Sequence, residues 1–274
     1  MLDPFFTPFP LFKELAQPLC DTLHLYSLPL HIHEILSAFA VYHIIFEYIA
    51  APLSTALLPT RYTSLSWESK LRWNMHCVSL VQSISISVLA LWVMCVDQER
   101  KTMNLEERLW GYTGAAGMVQ ALSTGCLLTY TLGFRPVFNY YGCVFMLYEL
   151  STPFLNMHWF FDKLGMTGSK AQLYNGLALV SVFFSCRLVW GAYSSFNIYK
   201  DVWDALHITN DTKFDSRPEM MIHGQDRLLP WWLVVLYLGG HVTLQVLNVF
   251  WLGRMIAAIR KRFSPKVKVN GKAK

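Results

Sequence analysis

A chain of 274 residues that is 54% hydrophobic and only 15% charged, with mean hydropathy +0.31, has too few charged residues to coat a soluble domain. Its net charge of +5 comes largely from the C-terminal tail, a pattern that sets topology and attracts anionic lipid rather than nucleic acid. The composition therefore describes an integral membrane protein.

A hydrocarbon core of about 30 Å needs about 20 helical residues. Six apolar runs of that order fall at 30–52, 74–96, 111–133, 136–161, 172–193 and 230–252. They are continuously apolar and do not alternate over about ten residues, which favours helices over a membrane β-barrel. The fold is read as all-α, a polytopic transmembrane helical bundle of about six spans. Its parts are an N-terminal amphipathic segment (1–29), a transmembrane domain (30–262) and a basic tail (263–274). No linker or internal repeat divides it.

The segment 1–29 is proline-bearing, with amphipathic fragments such as 5–15, and shows no basic, apolar and small-residue regions in the order of a cleavable signal. In the first run His43 and Glu47 stand four residues apart, a spacing at which imidazole and carboxylate share a hydrogen bond or a proton. In the second, His76, Ser79, Ser83 and Ser87 fall within a narrow arc, because an α-helix advances 100° per residue. A polar stripe in hydrocarbon costs several kcal/mol unless it faces protein or water, so this one is expected to face the bundle interior. The third run offers Gly117, Ala121 and Gly125, a seam of small residues for close helix packing.

The fourth run is interrupted by Pro153, which removes one backbone donor and is expected to free the carbonyl of Glu149. Glu149, Thr152 and Asn156 share one face, and Ser151 and His158 lie on the other. The fifth run carries Asn175, Ser181, Ser185 and Arg187; Arg187 lies close enough to the end to snorkel to the interface. The polar interval 194–229 is expected to be an extramembrane loop with a short amphipathic helix at 199–206. In the last run His241, Gln245 and Asn248 align, so a second polar face arises independently of the first.

Beyond it Arg254, Arg260, Lys261, Arg262, Lys266, Lys268, Lys272 and Lys274 crowd together, and the positive-inside tendency places that end in the cytoplasm. Six spans would return the N-terminus to the same side. The six cysteines form no CxxC pair, which implies neither a disulfide framework nor a zinc site. No metal and no cofactor is expected. The candidate lipid-pocket residues are Glu149, Ser151, Asn156, His158, His76, Ser83, His43, Glu47, Arg187, His241 and Gln245. Hydrogen-bonded structure is the alternative role for the histidines, and helix bridging for Glu149.

The stretch Tyr148-Glu-Leu-Ser-Thr-Pro-Phe-Leu-Asn-Met-His-Trp-Phe-Phe161 resembles the signature of the TLC domain family, which includes translocation-associated membrane proteins and ceramide synthases. Lys70-Leu-Arg-Trp-Asn-Met-His-Cys-Val-Ser79, Leu132-Gly-Phe-Arg-Pro136 and Arg187-Leu-Val-Trp-Gly191 support it. The similarity covers roughly 33–260 and is greatest to the TLC domain-containing branch, not to ceramide synthases proper. It implies a multi-pass protein of the endoplasmic reticulum or another endomembrane, with a polar cavity and a role in lipid synthesis, sensing or transport.

Ceramide synthases use an adjacent histidine pair, and no His-His occurs here. Between 111 and 148 there is no His, Asp or Glu, and the resemblance implies that a helical hairpin of about 25 residues is missing near 125–127. Three functions follow as expectations. The first is lipid binding or sensing in membrane lipid homeostasis, with membrane lipids as partners and no enzymatic step. The second is a lipid acyltransferase with acyl-CoA and a sphingoid base as partners, in which His76, His241 or Glu149 would be the general base. The third is a channel or carrier.

Overall fold

The computed structural model describes residues 1–5, 9–23, 25–123, 138–207, 221–222 and 231–263. Helix α1 (Pro10–Leu23) packs on α2 (Leu28–Leu57), with Cys20 and Leu25 against Ile35 and Ala121. Leu11, Leu15 and Leu19, one turn apart, are left exposed on α1. Such an outward apolar strip suits a helix lying at the membrane surface. Within α2 a π-turn spans Ile45–Ile49.

The turn α3 (Pro59–Thr63) leads to α4 (Trp67–Val96), capped by Ser66, whose hydroxyl accepts the Ser69 N–H. Three short pieces follow. Asp97 caps α5 (Gln98–Lys101), a reciprocal Asn104–Glu107 capping box starts α6 (Leu105–Trp110), and β1 (Gly111–Tyr112) pairs antiparallel with β2 (Met221–Ile222). Next come α7 (Gly114–Leu122) and α8 (Asn139–Met146), which runs through a 3₁₀ turn (Leu147–Ser151) into α9 (Thr152–Lys163). Helix α10 (Lys170–Leu206) contains a π-turn at Phe184–Val189, and α11 (Trp231–Phe263) is the last.

The helices are turned apolar side out. On α4, Ser83, Ser87 and Ala90 are at most 2% exposed while Val81, Ile84, Val88 and Leu91 are 41–59% exposed. On α11, His241 and Asn248 are buried and Val246, Val249, Phe250 and Trp251 are more than half exposed. Water would penalise this arrangement and hydrocarbon would not. Four helices, α2, α4, α10 and the 234–261 part of α11, are long and apolar enough to cross a membrane. The protein is an all-α membrane bundle.

The path of the chain follows from a few contacts. Met1 bonds Asp97 and Glu99, just past the end of α4. Phe138 N–H donates to the Leu109 carbonyl at 2.7 Å, so α8 starts at this same Asp97 end, and Arg108 binds Asp201, so α10 finishes there. At the other end, the Trp67 end, Gly165 approaches the Arg61 guanidinium, and Lys261 shares a cavity with Asp162 and Gly168. Thus α2, α4, α8–α9, α10 and α11 each traverse the bundle.

Helix α7 enters from the Asp97 end and reaches about half-way. Its terminal carbonyls at Leu122 and Ser123 accept Tyr42 Oη and Gln82 Nε2 from the middle of α2 and α4. Polar side chains thus satisfy a helix end that hydrocarbon would leave unpaired. The remainder of the third run, with Gly125, lies outside the described residues.

Two expectations are corrected. Met1 and Lys261 lie at opposite ends of α4, a helix about 45 Å long at 1.5 Å per residue, so the described termini are not on one side. The interval from 194 onwards is not a loop at its start: α10 continues to Leu206 because Asp201 is held by Arg108 and Tyr141 and Ile198 is fully buried.

Candidate functional site

The expected polar residues separate into two layers. In the first, His76 Nδ1 and Asn156 Oδ1 are 2.8 Å apart, Asn156 Nδ2 donates to Ser79 Oγ at 3.0 Å, and His76 stacks on Trp159 at 4.1 Å. This joins α4 to α9. The second layer is centred on Tyr148. Its hydroxyl accepts Gln245 Nε2 (2.9 Å), which also reaches Ser195 Oγ (3.3 Å), and Ser195 lies 3.5 Å from His241 Nδ1. His241 also packs on the ring of Phe145, at 4.1 Å between centroids.

Backbone geometry shapes the Tyr148 layer. The 3₁₀ turn before Pro153 sends the Thr152 N–H to the Glu149 carbonyl, so that carbonyl is not freed as expected. The neighbouring Tyr148 carbonyl accepts Arg187 Nε (3.1 Å) and Ser151 Oγ (3.2 Å); Arg187 Nε also donates to Ser151 Oγ (3.1 Å). Arg187 therefore points inward, with its charge over the rings of Phe183 and Tyr148, and does not snorkel. Gly191 makes room for Tyr148: a Cβ there would lie 2.3 Å from the Tyr148 hydroxyl.

Ser151, Arg187, His241 and Gln245 are thus brought together, and Asn156 joins His76. The layers do not converge, since Phe145 and Asn156 are eleven residues apart along one helical stretch, about 16 Å at 1.5 Å per residue. Glu149 is half-buried, and its carboxylate has no hydrogen bond or ion pair among the described residues. Ser83 is buried and donates to the Leu80 carbonyl. His43 and Glu47 are exposed and share no hydrogen bond; the π-turn between them widens the spacing, and His43 stacks on Phe39.

His158 lies apart from both layers, in a cleft of about 510 Å³ between α9, α10 and α11. Leu155, Leu173, Leu179, Val180, Met255 and Ile259 make its walls, and Asp162, Thr167, Gln172 and Lys261 are polar groups that line it. The Nδ1 of His158 is buried and has no partner among the described residues. A second cavity, of about 370 Å³, opens at the Asp97 end. Neither is lined by Glu149, His76 or His241.

A further cluster went unseen in the sequence. His31 Nδ1 lies 2.6 Å from Glu34 Oε2 and 3.3 Å from Asp3 Oδ2, and its Nε2 bonds the Tyr112 hydroxyl; Gly117 gives the ring its space. Burial pushes the Asp3 carboxyl up, but the bonds from His31 and the Phe5 N–H outweigh it and hold it below the usual aspartate value. The three donors lie within 4.8 Å of one another, the one such group among the described residues that could hold a metal ion. An imidazole between two carboxylates accounts for that geometry by itself. The i, i+3 spacing of His31 and Glu34 was a readable signal; Asp3 and Tyr112 arrive through the fold.

Residues 118–257 match the TLC domain. A TLC domain-containing protein of Schizosaccharomyces pombe, described as uncharacterized, is 32% identical over 276 positions, covering 91% of this chain and 86% of its own. The chain belongs to the TLC domain family. Topoisomerase I damage affected protein 4 of Saccharomyces cerevisiae is 25% identical over 268 positions, covering 86% of each chain, and TLC domain-containing protein 4 of Homo sapiens is 26% identical over 180, covering 55% of this chain and 66% of its own. No solved structure matches.

The 276 positions shared with the S. pombe TLC protein take in 91% of 274 residues, about 249, so about 27 positions stand opposite gaps in this chain. For the S. cerevisiae protein, 86% of 274 is about 236, which leaves about 32 of 268. Gaps of that total have the size of the hairpin that the family resemblance implies is missing. Its expected place near 125–127 lies outside the described residues.

Proposed function

We propose that this TLC-domain protein binds or senses membrane lipid and contributes to lipid homeostasis in the endoplasmic reticulum or another endomembrane, with the Lys261 end in the cytoplasm. The cleft at His158 carries the reading. It is apolar along its walls, has imidazole, carboxylate and ammonium groups in its lining, and lies among helices whose outer faces suit hydrocarbon. That pairing of long apolar walls with a few convergent polar groups fits an acyl chain and its polar head.

Ala258 is exposed at the cleft, so Ala258→Trp covers it without disturbing a buried contact. The purified variant should lose the lipid that wild-type protein carries out of the membrane, measured by mass spectrometry of the extract. It should also fail to restore the lipid profile of cells lacking the protein. Full retention and full rescue would remove the cleft from the reading.

The unpartnered His158 Nδ1 favours one second reading, acyl transfer from acyl-CoA to a sphingoid amine, with His158 as general base. Purified protein incubated with both substrates decides it. Product above a detergent blank that disappears in His158→Ala supports transfer, and no product ends it.

A further inference from the structure

The 370 Å³ cavity at the Asp97 end is unlike the lipid cleft in its chemistry. Arg100, Arg108, Trp190, Tyr193, Asn197 and Lys200 bring hydrogen-bond donors to its wall, and Asp201 is the one carboxylate there among the described residues. That carboxylate is already taken: Arg108 holds both its oxygens, at 2.6 and 2.7 Å, and the Tyr141 hydroxyl donates to it at 2.6 Å. Among the described residues of the wall, three cations stand against this one carboxylate.

Arg100 is only 5% exposed and has no carboxylate within ion-pair distance among the described residues. Its Nη2 donates to the Tyr140 carbonyl at 3.0 Å and its guanidinium sits 4.2 Å from the Tyr140 ring, but its Nε is buried without a partner. Trp190 Nε1, on the same cavity, is also buried and has no partner among the described residues. Buried donors left unpaired cost free energy, and a buried guanidinium costs more. An anion entering the cavity would satisfy both.

Position identifies the kind of anion. The cavity lies where α4 and α10 leave the apolar layer. Tyr193, Phe196 and Trp203 on the neighbouring outer face of α10 are 59–67% exposed, an aromatic belt of the type that marks the headgroup level. We propose that Arg100, Trp190 and Lys200 bind the phosphate of an anionic phospholipid headgroup. This goes beyond the lipid-binding reading, which rests on the cleft at the opposite end of the bundle, and Ala258→Trp leaves it untouched.

Full-length protein in detergent is offered phosphatidic acid or diacylglycerol with the same acyl chains, and bound lipid is counted by native mass spectrometry. Wild-type protein should retain phosphatidic acid about tenfold better than diacylglycerol, and Arg100→Gln should erase that preference, as loss of one charge-assisted hydrogen bond requires. Because Arg100 also supports Tyr140, Asn197→Asp is the second variant. It sits half-exposed on the cavity wall and adds a negative charge without removing a buried contact. Retention of both lipids alike by wild-type protein, or an unchanged preference in Asn197→Asp, overturns the proposal. A competition with millimolar inorganic phosphate separates the sources. Persistence of bound phosphatidic acid supports the headgroup, and its displacement by phosphate overturns that assignment in favour of the free ion.

Discussion

At the Asp97 end of the bundle, Met1, Asp97, Arg108 and Asp201 meet as formal charges and pair with one another. About 10 Å deeper, one helical segment from Tyr141 to Tyr148, the Tyr148 layer is built from a phenol, an amide, a hydroxyl and an imidazole, with Arg187 as its single cation among the described residues. The difference follows from what each depth can solvate. Near headgroups an ion pair is stabilised by lipid and water at its open side, whereas in the hydrocarbon layer a neutral hydrogen-bonding group costs much less than an unpaired charge. The charges give strength at the end; the neutral layer gives register between helices.

The largest effect should come from removing one member of the charged set. Asp201→Ala strips Arg108 of two short hydrogen bonds and Tyr141 of one, and leaves a half-buried guanidinium unpaired. It should cost about 3 kcal/mol in reversible unfolding from mixed micelles, while Arg108→Met with Asp201→Leu recovers most of that. Equal losses in single and double variants would show that the pair stabilises nothing beyond packing.

Next is Gly191 in the neutral layer. A methyl group there meets the Tyr148 hydroxyl at 2.3 Å and the ring carbon that bears it at 2.9 Å. Gly191→Ala should cost about 2 kcal/mol as overpacking, with partial recovery on adding Tyr148→Phe. Failure of Tyr148→Phe to recover anything would place the strain elsewhere. Asn156→Leu in the His76 layer should cost about 1 kcal/mol, the scale of interhelical hydrogen bonds in membranes.

How much of this was legible can be followed residue by residue. The inward stripe at Ser83, Ser87 and Ala90 and the buried face at His241 and Asn248 follow from periodicity, because a lipid-facing helix must put apolar groups outward at the same period. The TLC family could be read from 148–161. The partners could not: nothing local in Asn156 says that it meets His76 rather than Glu149, since interhelical pairing depends on rotation and depth. The 3₁₀ turn was missed for a related reason. Pro153 announces a break, but which carbonyl is left for Arg187 depends on how the preceding turn tightens. The charged end is not legible in the sequence, because Asp201 and Arg108, 93 residues apart, each look like loop residues until paired.

The smallest effect is expected at the pair that sequence spacing favoured and the fold separates. Glu47 lies one residue after Phe46, whose carbonyl accepts Asn74 Nδ2, and Asn74 is seven residues into α4, so Glu47 sits about 10 Å from the Trp67 end. At that depth an exposed carboxylate reaches headgroups and needs no protein partner. Glu47→Gln and His43→Ala should therefore each change stability by less than about 0.5 kcal/mol, as substitutions away from buried networks do. If either costs as much as Asn156→Leu in the same micelles, an imidazole–carboxylate contact forms across the π-turn, and the outer face of α2 must be counted with the interior layers.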